Sequence, residues 1–227
     1  MTIVSPHDVR LVSDLDEDDI SDNKLIELIQ YGWEQVITDI GKREVEEEVN
    51  YIDSYRKNII DGTTTSFYVQ NSFTRFLGDM DFNQTLDTGD AQLYLYDVDL
   101  NRTEATVSAV DETGLITLDA AVEAGTKLTI TYVHLPVPIS HNLMKRACIY
   151  LTAAMAYGKL EARDYKSVGF RGLSITRMAQ GFNSFYQKYQ TIIQELLGYD
   201  SIIGRFDDDQ DTAWIQPIQN YKEPRRS

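Results

Sequence analysis

Apolar residues recur at helical spacing in the first and last thirds of the chain and at alternating spacing in the middle third. Ser5-Pro6-His7-Asp8 reads as a helix start. Ser5 is the N-cap, Pro6 stands where a missing N–H costs nothing, and an acid lies in the first turn. This helix is short and is expected to end near Leu15. After a cap at Ser21 or Asp22, Leu25, Ile29, Trp33, Val36 and Ile40 return every three or four residues and predict a long amphipathic helix. Val45, Val49, Ile52 and Ile59 would share one face of a further helix, with its acids on another.

The period changes at Asp61-Gly62-Thr63-Thr64-Thr65, where β-branched residues succeed a turn and the alternation Phe67, Val69 begins. Further strands are expected at Gln92 to Tyr96, Ala105 to Val110, Leu115 to Leu118 and Lys127 to Val133, separated by Gly-containing turns such as Asp111-Glu112-Thr113-Gly114. Leu135-Pro136-Val137-Pro138-Ile139-Ser140 ends the strands, because proline removes ladder donors, and Ser140 is placed to cap the next helix. Helical spacing returns with Leu143, Ala147, Tyr150, Leu151, Ala154 and Gly158, whose small members would let another helix approach closely. A loop with Gly169 and Gly172 leads to a last helix carrying Phe182, Phe185, Tyr189, Ile192 and Leu196, expected to stop at Gly198. The fold class is therefore α+β. A helical bundle in two pieces, residues 1–62 and 138–200, is interrupted by a small antiparallel β sandwich or barrel at 63–137, and residues 201–227 form an extended docking tail.

Composition narrows the class. At 227 residues and 42% hydrophobic, the chain can bury one full core and a second small one. A single cysteine, Cys148, excludes an internal disulfide framework and a Cys-based zinc site. The N-terminus has no basic start leading into an apolar stretch, and no run reaches the roughly 18 apolar residues of a membrane span. A soluble protein that is not secreted and has no membrane partner is the expectation. The net charge is −15, with 16 acids and 6 bases in residues 1–62, 11 and 3 in 63–137, and 9 and 12 in 138–227. Such a balance disfavours wrapping DNA, since each neutralised phosphate needs a Lys or Arg, but it suits simple solubility or a surface past which nucleic acid slides.

No catalytic or metal set emerges. Asp97-Val98-Asp99-Leu100-Asn101 begins like a calcium loop, yet Arg102 stands where glycine is required and Ser108 where a bidentate glutamate belongs, so it reads as a polar hairpin. His7, His134 and His141 are scattered, and Cys148 lies within an Ala-rich helix, where free cysteine behaves as a small core residue. The acidic runs Asp16 to Asp19, Glu46 to Glu48 and Asp207 to Asp209 read as solvated faces and not as paired catalytic carboxylates. Gly169-Phe170-Arg171-Gly172 lacks phosphate-loop spacing. A protein that is not an enzyme and has no cofactor is expected.

Four segments carry a resemblance when taken in order: SPHDVRLVSDLDEDDISDNKLIELI, DGTTTSFYV, VSAVDETGLITL with GTKLTITYV after it, and PVPISHNLMKRACIYLTAAMAY. Together the chain resembles the head-to-tail connector (adaptor) proteins of tailed bacteriophages and related tailed viruses over most of residues 1–198. The resemblance implies a structural virion protein of the neck. It would assemble in the host cytoplasm as a homo-oligomeric ring, commonly of twelve copies, beneath the portal protein. A head-closure or tail-completion protein would come next, and double-stranded DNA would pass through the lumen without sequence-specific binding. In that setting Arg205, Phe206, Trp214, Ile215, Ile218 and Tyr221 would form a portal-docking tail, ordering on contact. Leu25, Ile29, Trp33, Leu143, Ala147, Tyr150 and Ala154 would serve helical packing or a ring interface. Two other readings compete. One is a β-domain binding module for a glycan or protein, with Tyr68, Tyr94, Tyr96 and Tyr132 as aromatic material; the other is a hydrolase using the acidic pairs.

Overall fold

The computed structural model describes residues 3–49, 58–72, 74–164 and 175–207. Helix α1 (Pro6–Ser13) opens with the expected Ser5 cap, and the first-turn acid closes it into a box: Ser5 Oγ accepts from Asp8 N–H, and the Asp8 carboxylate accepts from Ser5 N–H at 2.9 Å. Asp8 also receives Lys145 Nζ at 2.9 Å, which ties α1 to α3 (Asn142–Asp164). Arg10 bridges to α2 (Asp22–Ile40), with Nη2 2.6 Å from Asp22 and 2.8 Å from the Ile20 carbonyl. The helical core gathers Val9, Leu25, Leu28, Trp33 and Ile37 with Met144, Ala147 and Ala154 of α3 and Tyr189, Ile192 and Leu196 of α4 (Ile175–Asp207).

The expected helix over 43–60 is corrected at its start: Lys42–Glu48 is a strand, β1, paired antiparallel with β8 (Lys127–Leu135). Gly41 makes this turn possible. A side chain there would meet the Ile37 carbonyl at 2.5 Å and Val133 Cγ1 at 2.9 Å, so only glycine lets the chain leave α2 so close to β8. The acids expected on a solvated helical face stay on the outside, Glu46 and Glu48 exposed, but they line a strand and find partners across the sheet. Glu44 meets His134, Glu46 meets Arg102 at 2.9 Å, and Glu47 accepts from the Tyr132 hydroxyl at 2.7 Å. Strand pairing here outweighs local propensity.

The remaining strands are β2 (Ser66–Tyr68), β3 (Phe76–Leu77), β4 (Ala91–Tyr96), β5 (Arg102–Ala105), β6 (Val107–Val110) and β7 (Leu115–Leu118). One sheet runs β1-β8-β4-β5, with β3 pairing the end of β8, and a second runs β2-β7-β6. All pairs are antiparallel, and the insertion is two open sheets, not a closed barrel. The expected strand over Ala105 to Val110 divides at Thr106, so that β5 serves the first sheet and β6 the second. Phe67, Leu93, Ile116, Leu128, Ile130 and Tyr132 fill the core between them. Strand β8 serves both cores, because successive side chains point to opposite faces. Leu128, Ile130 and Tyr132 enter the sandwich, while Val133 and Leu135 enter the helical core.

Two boundaries differ at α3 and α4. Ser140 does not cap α3; its hydroxyl goes to Glu112 at 3.0 Å, and His141 does the capping, with Nδ1 accepting from Leu143 N–H at 3.3 Å. Gly198 does not stop α4, which continues to Asp207, so the extended segment expected from 201 is helical at its start. The residue carries no positive φ, and a glycine costs a helix only about 1 kcal/mol unless it adopts the left-handed capping conformation.

Gly114 tests the turn between β6 and β7. It has φ +85°, and a Cβ would lie 2.5 Å from Val69 Cγ2, whereas Gly125, at φ +89°, has no atom within 4 Å of the same position. Gly114→Ala is expected to destabilise by about 2–4 kcal/mol through backbone strain and overpacking, and Gly125→Ala by only about 1 kcal/mol. Urea midpoints of the two variants check this, and equal losses would contradict it.

Candidate functional site

The residues joining bundle to sandwich form the most chemically loaded part of the structure. Residues 78–90, GDMDFNQTLDTGD, leave β3 and return as β4, and they fold around two buried carboxylates. Asp79 accepts from Trp33 Nε1 at 2.6 Å, from Gln84 N–H at 2.6 Å and from Asn83 N–H at 3.0 Å. Asp90 accepts from Met80 N–H at 2.5 Å and Asp87 N–H at 2.8 Å. Gln84 Oε1 accepts Val4 N–H, and Gln30 donates to the Phe82 carbonyl, so the same loop holds the start of the chain and the outside of α2. Phe82 and Gln84 both adopt left-handed φ, 61° and 66°, a conformation these side chains keep only where surrounding bonds enforce it.

Burial dominates the electrostatics. Removal from water pushes the Asp79 carboxyl up to about 7 and Asp90 up to about 6, against the N–H bonds that favour their charged forms. Asp81 completes a trio whose carboxylate oxygens lie within 4.8 Å of one another, close enough to share one hard cation. Both oxygens of Asp79 and of Asp90 already receive N–H donors, however, so the trio acts first as the frame on which the loop folds. Sequence reasoning does not pick out these acids. The signal it offers is a dense run of Asp, Asn and Gly after a strand, together with a tryptophan on an aliphatic stripe whose indole N–H needs an acceptor.

The structure separates the residues singled out in the sequence. Leu25, Ile29, Trp33, Leu143, Ala147 and Ala154 are buried in the helical core. Tyr150 is half-buried on α3, its ring stacked against Phe185 at 6.2 Å. Arg205 and Phe206 lie on the last turns of α4, while Trp214, Ile215, Ile218 and Tyr221 lie outside the described residues. The Gly169 to Gly172 loop is also outside them. Cys148 is buried with its Sγ 3.6 Å from the Ile29 carbonyl, and burial pushes the thiol up to about 12. His134 pairs with Glu44 at 3.2 Å, and burial lowers its pKa.

The loop that resembled a calcium site is the β4–β5 hairpin tip. The Asp97 carboxylate accepts from Asp99 N–H, Asn101 N–H and Asn101 Nδ2, and these bonds, Asn101 foremost, hold it below the usual carboxylate range. Of the four tyrosines considered for ligand stacking, Tyr132 is buried with its hydroxyl on Asn71 and Glu47. The Tyr94 ring is covered by the Arg102 guanidinium at 3.6 Å, and Tyr68 and Tyr96 are half-buried.

The fold and this junction define the class: an α+β protein in which a bundle of helices and a two-sheet β insertion share a strand and are locked by a loop built on two buried carboxylates. No protein-family model, curated protein or solved structure matches the chain. Among the described residues no helix is long and apolar enough to cross a membrane.

Proposed function

We propose that this protein is a head-to-tail adaptor of a tailed virus, a structural ring that joins the portal to the next neck or tail component and surrounds the DNA passage. The carrying observation is that apolar and aromatic side chains stand exposed on rigid backbone in both parts of the molecule. Ile26 and Tyr31 do so on α2, Tyr186 and Leu197 on α4, and Val98 and Leu100 at the hairpin tip. Scattered exposed apolar residues are ordinary, but apolar residues held out on helices and a braced hairpin suit contacts with neighbours. The order of sequence segments supplies the direction, since it resembles that of ring-forming connectors. An acidic body, net charge −15, fits a lumen that lets a duplex slide. The binding-module reading gains nothing from the β insertion, whose tyrosines are buried, half-buried or covered by Arg102.

The test is assembly. Light scattering and negative-stain electron microscopy of the purified full chain, alone and mixed with its portal, should show rings or a stable portal complex. A protein that stays monomeric and unbound at every concentration would refute the proposal.

A further inference from the structure

Two cations, Arg146 on α3 and Lys188 on α4, converge over one ring: the Arg146 guanidinium lies 5.9 Å and the Lys188 ammonium 5.4 Å from the centre of Tyr150. Both side chains are exposed, and neither forms an ion pair with a carboxylate among the described residues. The Lys188 ammonium also lies 4.9 Å from the centre of the Phe185 ring, which stacks on Tyr150 at 6.2 Å. On a chain of net charge −15, this is a cationic and aromatic face held by two packed helices.

The β4–β5 tip has the complementary chemistry. Val98 is 90% and Leu100 76% exposed, so neither is covered within its own chain. Asp99 is exposed between them. The tip is stiff: three hydrogen bonds end on Asp97, and Leu100 is held at φ 63°. A preformed tip loses little freedom on docking, and apolar side chains beside a carboxylate match an aromatic surface beside two cations.

We propose that the β4–β5 tip of one copy docks on the Arg146–Lys188 face of a second copy, with Val98 and Leu100 against Tyr150 and the aliphatic stems of the two cations, and Asp99 directed at their charged ends. The contact joins different surfaces of identical chains, the head-to-tail type that closes into rings when its rotation allows. The inference rests on the ring reading and names the surfaces that would build it. DNA phosphates could also meet two cations, but they give no role to the exposed Val98 and Leu100.

Sedimentation velocity on the full chain tests it, with circular dichroism to confirm that each variant is folded. Asp99→Lys, Lys188→Glu and the double change Val98→Ser with Leu100→Ser should each weaken self-association about tenfold or more. Combining Asp99→Lys with Lys188→Glu should recover most of what either loses alone, because the charges are exchanged and not removed. A folded wild-type chain that never assembles, alone or with its portal, overturns this contact together with the ring reading. Assembly that all these variants leave unchanged overturns the contact alone. If Lys188→Glu lowers retention of duplex DNA and leaves assembly intact, the face serves phosphates and the proposed contact is wrong.

Discussion

Trp33→Ala is expected to destabilise the protein by about 3–5 kcal/mol through lost burial and the cavity left behind, with a further cost of about 1–3 kcal/mol for the acceptor it strands. Trp33 is fully buried on α2, and its indole N–H is one of three donors holding Asp79. Removing the ring therefore opens the helical core and loosens residues 78–90 in one step. Trp33→Phe separates the two effects. It keeps most of the packing and loses the N–H bond, for an expected cost of about 1–3 kcal/mol. Chemical denaturation of both variants provides the measurement. If the alanine variant lost less than about 1 kcal/mol, the indole could not be the post on which bundle and loop are joined.

The second large effect is on pH. Asp79 and Asp90 are raised, to about 7 and about 6, by burial. Unfolded carboxyls of this kind release their protons near 4, so between about pH 4 and 7 the folded state holds protons that the unfolded state lets go. The stability contributed by these two acids is full below the unfolded value and is lost as pH rises through about 6 and 7. A fall of about 2–4 kcal/mol between about pH 5 and 8 is expected from this loop. His134, lowered by burial, pulls the opposite way, since its contribution is lost as pH falls through the range just below its usual value. Asp79→Asn isolates the acidic part. It should cost about 1–3 kcal/mol at about pH 5, where its amide faces N–H donors, and that deficit should shrink or reverse at about pH 8. Parallel stability profiles for wild type and Asp79→Asn would show that Asp79 does not titrate with folding.

Much of the architecture is legible in the residue pattern where a local rule and the tertiary environment agree. The Ser5 cap, the α2 stripe through Trp33, and β7, which runs over the expected Leu115–Leu118, are of that kind. The misreadings have a common physical origin. The glutamates of β1 satisfy a helical pattern until their partners, His134, Arg102 and Tyr132, are brought up from far along the chain. Strand β3 has only two residues, too few to show an alternation. The run through Thr106 alternates correctly but is shared between sheets, a bend that no periodicity records. The acidic junction escapes a local reading for the same reason, since Asp79 finds its indole 46 positions away.

Strand β8 carries a mechanical consequence. Its side chains enter the sandwich core on one face and, at Val133 and Leu135, the helical core on the other, while Gly41 and Gly78 come close enough for a Cβ to touch both of those residues. The β insertion is therefore not a pendant joined by a flexible tether. A load applied to its hairpin would pass through β4 into β8, whose own side chains sit in the helical core, and a displacement of the sandwich would be felt there as a tilt.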